Sequence, residues 1–154
     1  MNDSRDTFPD AGQESYDDTW LIVPCYNEGQ VIQEVLASAR ETFPNIVAVN
    51  DGSRDNSAEQ IRAAGAHLVD HPVNLGQGAA IQTGVEYARS QPGAKYFVTF
   101  DADGQHQVKD VMRMIERLRT EPLDIIVGTR FAGQENSQVP WIKRAVLKLS
   151  LIHI

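Results

Sequence analysis

Cysteine is nearly absent from this chain: Cys25 is the only one in 154 residues. A lone thiol excludes an internal disulfide and fits a reducing compartment. No His-based partner stands near it, so Cys25 reads as a small space-filler rather than a nucleophile. Long apolar runs are missing as well. None approaches the ~18–20 residues of a membrane span, and no secretory signal pattern opens the sequence. Positive charge is scarce, and the formal net charge of −7 argues against general nucleic-acid binding, which wants a basic face. Much of the acidity sits in residues 1–18, where Asp3, Asp6, Asp10, Glu14, Asp17 and Asp18 oppose Arg5 alone. That polar, unpatterned stretch is expected to be a disordered leader. The common phosphate fingerprints fail too. Gly76 and Gly78 lack the third glycine of a dinucleotide motif, and there is no Gly-Lys-Ser/Thr. A calcium loop is disfavoured by Gln105, His106 and Met112, which stand where it wants Asp/Asn, Gly and Glu.

What remains is an ordinary globular composition, 42% hydrophobic and 23% charged, on a chain long enough for one domain with a real core. Thr19 to Val23 reads as a buried strand ended by Pro24, and Ile46–Val49, Ala66–Val69, residues 95–100 and Leu123–Val127 read as four more. Between them, apolar residues recur at helical spacing from Val31 to Phe43, from about Ser57 to Ala64, from about Ala79 to Arg89, and from Val108 to Leu118. Asn27 and Gln30 resemble a capping box for the first helix, and Asp55, Asn56 and Ser57 offer N-cap oxygens to the second. Strands alternating with helices through short connections predict an α/β fold, a mainly parallel sheet covered on both faces. Beyond Val139 a basic amphipathic segment begins, and residues 149–154 look like a non-native tail, so the natural protein is expected to continue.

The stretch that carries chemistry is Tyr96-Phe97-Val98-Thr99-Phe100-Asp101-Ala102-Asp103-Gly104-Gln105-His106. An apolar strand that stops on two aspartates puts paired carboxylates at its C-terminal end, where open α/β sheets bind ligands. Two hard oxygen donors so close together suit Mg²⁺ or Mn²⁺. Other strand ends would converge there: Pro24-Cys25-Tyr26-Asn27-Glu28, Asn50-Asp51-Gly52-Ser53, and the loop Asn74-Leu75-Gly76-Gln77-Gly78. Asp51 can accept from a base N–H or ribose hydroxyls, Tyr26 can flank a ring, and Arg130 can pair with phosphate in fork geometry. For each there is a plainer reading: a helix cap for Asp51, a turn for Asn74, Gly76 and Gly78, a surface charge for Arg130.

Val23-Pro24 to Asn27-Glu28, Asn50-Asp51-Gly52-Ser53, Asn74 to Ala80, Asp101 to His106 and Gly128-Thr129-Arg130-Phe131 occur in one order. In that combination the chain resembles family 2 glycosyltransferases, and within them the polyprenyl-phosphate (dolichyl-phosphate mannose synthase-like) branch, over roughly residues 19–148. The resemblance implies a GT-A fold, a Rossmann-like three-layer αβα architecture, and inverting transfer of a sugar from a UDP-, GDP- or dTDP-sugar. Pro24, Tyr26, Glu28 and Asp51 fall where the family cradles the nucleoside, with Asn74, Gly76, Gly78 and Ala102 completing the donor site. Asp101 and Asp103 match its metal-binding Asp-x-Asp motif, Gln105 stands where the lipid-phosphate branch supplies a further ligand, and Arg130 matches a phosphate-contacting arginine. A lipid-phosphate acceptor would make the protein cytoplasmic but membrane-associated, with peripheral contact through a later part of the chain. Two residues depart from the pattern: Val108 replaces a usual proline, and Asn50 replaces a second aspartate, leaving Asp51 as the expected base or ribose contact. The rival readings are a haloacid-dehalogenase-type phosphatase, whose own Asp-x-Asp opens its fold, and a donor-binding fragment without transfer.

Overall fold

A computed structural model describes residues 15–102 and 108–128. Four strands, β1 (Thr19–Cys25), β2 (Asn45–Asp51), β3 (His67–His71) and β4 (Tyr96–Thr99), form one sheet in the order β3-β2-β1-β4. Every pairing is parallel, with Ile22 opposite Val47 and Thr99, and Asp51 opposite His71. The connections are helices α1 (Ile32–Arg40), α2 (Ser57–Ala63) and α3 (Gln77–Arg89), and α4 (Val108–Thr120) follows β4.

The strand sequences explain why the sheet is covered twice. Leu21, Ile22 and Val23 of β1 and Ile46 to Val49 of β2 are all fully buried, the continuous apolar signature of a strand with no wet face. Successive residues point to opposite faces, so Trp20, Ile22, Val47 and Val49 share one side. There they pack with Ala80 and Ala88 of α3 in a single cluster. Leu21, Val23, Ile46 and Ala48 occupy the other side, toward the buried Ile32, Leu36, Ala39 and Ile61 of α1 and α2. Small residues let α3 lie close: a Cβ on Gly84 would sit 2.5 Å from Ile22 Cγ2 and 3.3 Å from Val49 Cγ2.

Several expected boundaries move. Pro24 does not end β1; it pairs with Val49 inside it. In a parallel ladder alternate residues face alternate neighbours. Ile22 faces β4, since its carbonyl accepts from Phe100 N–H, and so Pro24 faces β4 too. The β4 ladder ends at the Ile22–Thr99 pair, and the missing N–H costs no bond. The capping box does not form: α1 starts at Ile32 without a side-chain cap, because the Asn27 side-chain oxygen Oδ1 is taken by Arg54 N–H. Nor does Asn56 cap α2; Asp55 Oδ1 accepts from Ser57 N–H instead.

Leu123–Val127 is not a strand. A strand exists only through its ladder, and this run has none among the described residues: Leu123, Ile125 and Val127 are 38%, 77% and 51% exposed. Of the expected leader, residues 1–14 lie outside the described part, whereas 15–18 are held. Tyr16 is buried against the Phe43 ring at 4.8 Å, and Asp18 O accepts from Lys95 and Tyr96 N–H. The expected tail 149–154 also lies outside.

Two glycines of α3 should respond in opposite ways to alanine. Gly84→Ala is expected to cost about 1–3 kcal/mol, because Ile22 is locked in the core and cannot yield to the new methyl. Gly78→Ala, with open space around its Cβ, should gain about 0.5 kcal/mol through the unfolded chain. Urea unfolding of the two variants measures both.

Candidate functional site

The sheet's C-terminal edge is assembled by loops that hold one another. After β1, three consecutive backbone N–H groups are pinned by side chains from the segment after β2. Asn27 N–H donates to Ser53 Oγ at 2.9 Å, Glu28 N–H to Ser57 Oγ at 3.0 Å, and Gly29 N–H to Asp55 Oδ2 at 2.9 Å. In return Asn27 Oδ1 accepts from Arg54 N–H at 2.9 Å. Asn27 takes a φ of 55°, a left-handed conformation that asparagine tolerates better than most residues. The Ser-x-Asp-x-Ser run 53–57 is thus a clamp for the β1 loop. The Ser57 hydroxyl beside Asp55 holds its carboxyl below the usual range, helped by the Gly29 N–H against the opposing effect of burial.

Asp51 performs the same service for the loop before α3. Its Oδ1 accepts from Leu75 N–H at 2.9 Å and lies 2.7 Å from His71 Nδ1, and its Oδ2 accepts from Gly76 N–H at 2.8 Å. His71 Nε2 in turn meets Thr83 Oγ1 of α3 at 2.9 Å. A carboxylate only accepts, so Nδ1 carries a proton, and the chain Asp51–His71–Thr83 ties β2, β3 and α3 together. Burial alone would raise the Asp51 pKa, but the hydrogen bonds from Leu75, His71 and Gly76 outweigh it, and the carboxyl lies below its ordinary value. Asp51 is 3% exposed, so the residue expected to touch the donor already holds protein groups on both oxygens.

Beside it opens a cleft of about 330 Å³, lined by Tyr26, Asn50, Arg54, Asp70, His71 and Asn74 among others. Its size is at the small end of the ~300–1,000 Å³ typical of small-molecule sites. Tyr26 is half exposed there. Gly52, at φ +68°, forms part of the wall, and a Cβ on it would meet Asn74 N at 2.4 Å, so only glycine fits. Pro24 is partly buried within β1, and Glu28 lies in the clamped loop. Asn74 turns its Oδ1 to Gly76 N–H at 3.1 Å, shaping the loop, while Gly76 and Gly78 have open space where a Cβ would be. Ser53, Asp55, Ser57, Asp70, His71 and Thr83 were missed as site residues in the sequence. Only the crowding of hydroxyl and carboxyl side chains at 51–57 hinted at a clamp; His71 meets Asp51 through strand register.

At the end of β4, Asp101 is partly buried and Ala102 buried. Gln77 Nε2, on the loop side of α3, donates a long bond of 3.4 Å to Asp101 Oδ1. Asp103, Gln105 and Arg130 lie outside the described residues. Among the described residues no three acidic, His or Cys side chains gather into a metal site, as follows when two of the three expected ligands are outside that set. The chemistry of the donor set, two carboxylates and an amide oxygen, suits a hard divalent cation.

A parallel sheet in the order β3-β2-β1-β4, covered on both faces and with a polar cleft at its strand ends, is an open α/β domain. The chain belongs to glycosyl transferase family 2, whose family model matches residues 20–152. It is 36% identical over 130 residues to an uncharacterised protein of Methanocaldococcus jannaschii, covering 83% of this chain and 53% of that one. It is 30% identical over 144 residues to the UDP-N-acetylglucosamine–dolichyl-phosphate N-acetylglucosaminyltransferase of Methanococcus voltae, covering 81% and 57%. A dodecaprenyl-phosphate galacturonate synthase of Rhizobium johnstonii is 34% identical over 122 residues, covering 71% and 35%. The chain spans about half the length of the first two of these relatives and about a third of the other. Glucosyl-3-phosphoglycerate synthase of Mycobacterium tuberculosis, crystallised with Mn²⁺ and UDP-glucose, shares the fold with a TM-score of 0.52 at 22% identity, covering 69% of this chain and 40% of that one. The expected fold and family are thereby borne out, and the phosphatase reading is set aside.

The loop anchor has a pH signature. Asp51 and Asp55 have folded-state pKa values below the ordinary 3.8, so their contribution is complete above the unfolded value and is lost as pH falls through the folded one. Between about pH 6 and about pH 2, Asp51→Asn should therefore lose less stability than the parent, while starting about 1–3 kcal/mol less stable at neutral pH. Urea titrations across that range check it; parallel curves would remove Asp51 as the acid-sensitive anchor.

Proposed function

We propose that this chain forms the donor-binding and catalytic part of an inverting transferase that moves a sugar from a nucleoside-diphosphate sugar to a polyprenyl phosphate. The observation that carries the reading is the continuous rim built by the Asp51-anchored loop. It delivers Gln77 to Asp101 at one end and borders the Tyr26–Asn50 cleft at the other. A nucleoside in the cleft, flanked by Tyr26 and walled by Gly52 and Asn74, sends its diphosphate along this rim toward Asp101. The names of two relatives, which specify dolichyl phosphate and dodecaprenyl phosphate, support a lipid-phosphate acceptor.

In this reading Asp101, Asp103 and Gln105 hold a Mg²⁺ or Mn²⁺ ion. When bound, it offsets the charge of the departing diphosphate, worth several kcal/mol of barrier. Arg130, assigned by its motif alone, would pair with a phosphate. The acceptor's phosphate oxygen attacks the anomeric carbon from the face opposite the diphosphate, forming one C–O bond as the other breaks and inverting the centre. That oxygen is already anionic, so no general base is required. Among the described residues no helix is long and apolar enough to cross a membrane, and the lipid acceptor would be met at a membrane surface.

Calorimetry with UDP-, GDP- and dTDP-sugars, with and without EDTA, tests the donor site. Binding should require the divalent ion, and Asp101→Ala and Asp103→Ala should each weaken it by about tenfold or more. Affinity indifferent to the chelator would overturn the metal assignment. Transfer to a short polyprenyl phosphate, followed by extraction of the glycolipid, separates an active transferase from a module that only holds the donor.

A further inference from the structure

Gln77 opens α3, and its Nε2 donates to Asp101 Oδ1 at 3.4 Å across 24 residues of sequence. The backbone on both sides of that bond is held. The Gly76 N–H just before Gln77 is fixed by Asp51 Oδ2 at 2.8 Å and Asn74 Oδ1 at 3.1 Å. Before Asp101, Phe100 N–H donates to Ile22 O at 2.8 Å, and after it Ala102 is buried. What these bonds leave undecided is the turn of the Asp101 carboxylate, and Gln77 bears on it directly. A carboxylate only accepts, so the amide must present its NH₂ rather than its oxygen. Gly76 and Gly78 flank Gln77 with open space where a Cβ would stand, so Gln77 carries the one side chain of this turn. At 3.4 Å the bond is long, as hydrogen bonds of unliganded sites often are.

We propose that Gln77 is a positioning residue for the metal site, orienting the Asp101 carboxylate that receives the divalent cation. The inference rests on Asp101 being a metal ligand, as the proposed function has it. An ionised carboxyl offers about four lone-pair sites, and Gln77 occupies one of them on Oδ1. Charge explains why an amide suits this place. A lysine ammonium would grip Asp101 more strongly but would set a positive charge beside the cation. A glutamate would have no proton to donate at neutral pH. The amide donates while carrying no charge, so Asp101 keeps its negative charge for the ion. Partners that orient metal ligands in this way typically contribute about 10–100-fold in metal affinity. The bond also gives the buried anchor a reach beyond its own loop. Asp51 fixes Gly76, Gly76 places Gln77, and Gln77 turns Asp101. A Gln77 that served only to open the helix would be replaceable by any good helix former.

The test is a titration of Mn²⁺ into the 154-residue chain, alone and with UDP or GDP present, with the free ion followed by electron paramagnetic resonance. The nucleotide's own affinity for Mn²⁺ is measured separately. Gln77→Leu keeps the helix propensity and much of the side chain's bulk but removes the donor, and it should weaken Mn²⁺ binding about tenfold or more. Gln77→Asn keeps the amide on a side chain one methylene shorter. It cannot close a gap that already stands at 3.4 Å, and it should lose nearly as much. Gln77 is exposed, so urea unfolding of both variants should match the parent. Variants that bind Mn²⁺ as the parent does would overturn the inference and leave the metal site standing. Variants whose metal affinity falls only in step with their stability would give Gln77 a purely structural role and overturn it as well. A parent that binds no Mn²⁺ under either condition would overturn the metal assignment itself, and the inference with it.

Discussion

The site depends on the Asp51 carboxylate. A loop that must approach a ligand closely cannot be held by bulky side chains of its own, because they would fill the space the ligand needs. Asp51 solves this from below. Buried at the end of β2, it takes the N–H groups of Leu75 and Gly76 and leaves Gly76 and Gly78 bare above. His71 and Thr83 extend the same network to α3, so the loop is tied to the neighbouring strand and to the helix. Buried charge is costly unless every lone pair is used, and here three donors converge on two oxygens.

The loop after β1 is held by the same means. Ser53, Asp55 and Ser57 bind three successive N–H groups, and Asn27 returns one bond. Both clamps come from the short stretch 51–57, at the C-terminal end of the buried strand β2. A rigid scaffold thus feeds two otherwise flexible connections, and the cleft lies between them. In the proposed transfer, such preorganisation would serve a diphosphate leaving group, whose departure is helped by positioned charge more than by proton transfer.

Departures from the expected outline share one physical origin. Apolar strands were readable where burial is continuous, as in Leu21–Val23 and Ile46–Val49. Leu123–Val127 has the same composition and no ladder among the described residues, because composition states a willingness to pair and says nothing of a partner. Pro24 looked like a stop because its missing N–H is fatal in a fully paired strand. Only the short β4 ladder shows that no bond is lost there. Asn27 looked like a cap because its side chain could serve a helix, and the fold gives it a competing partner in Arg54.

From residue order alone came the alternation of strands and helices, hence a parallel sheet, and the motifs that place the chain in its family. Those are properties of periodicity and spacing, which a linear string carries in full. The tertiary structure decided which of two adjacent polar residues is spoken for. Asn50 and Asp51 are neighbours in the chain with opposite fates, one oxygen left unmet and two fully engaged. Their partners Asp70, His71, Leu75 and Gly76 lie twenty or more residues away and are brought to them by strand register and loop closure. Hydrogen bonds depend on distance in space, and the sequence does not contain that distance until the chain has folded.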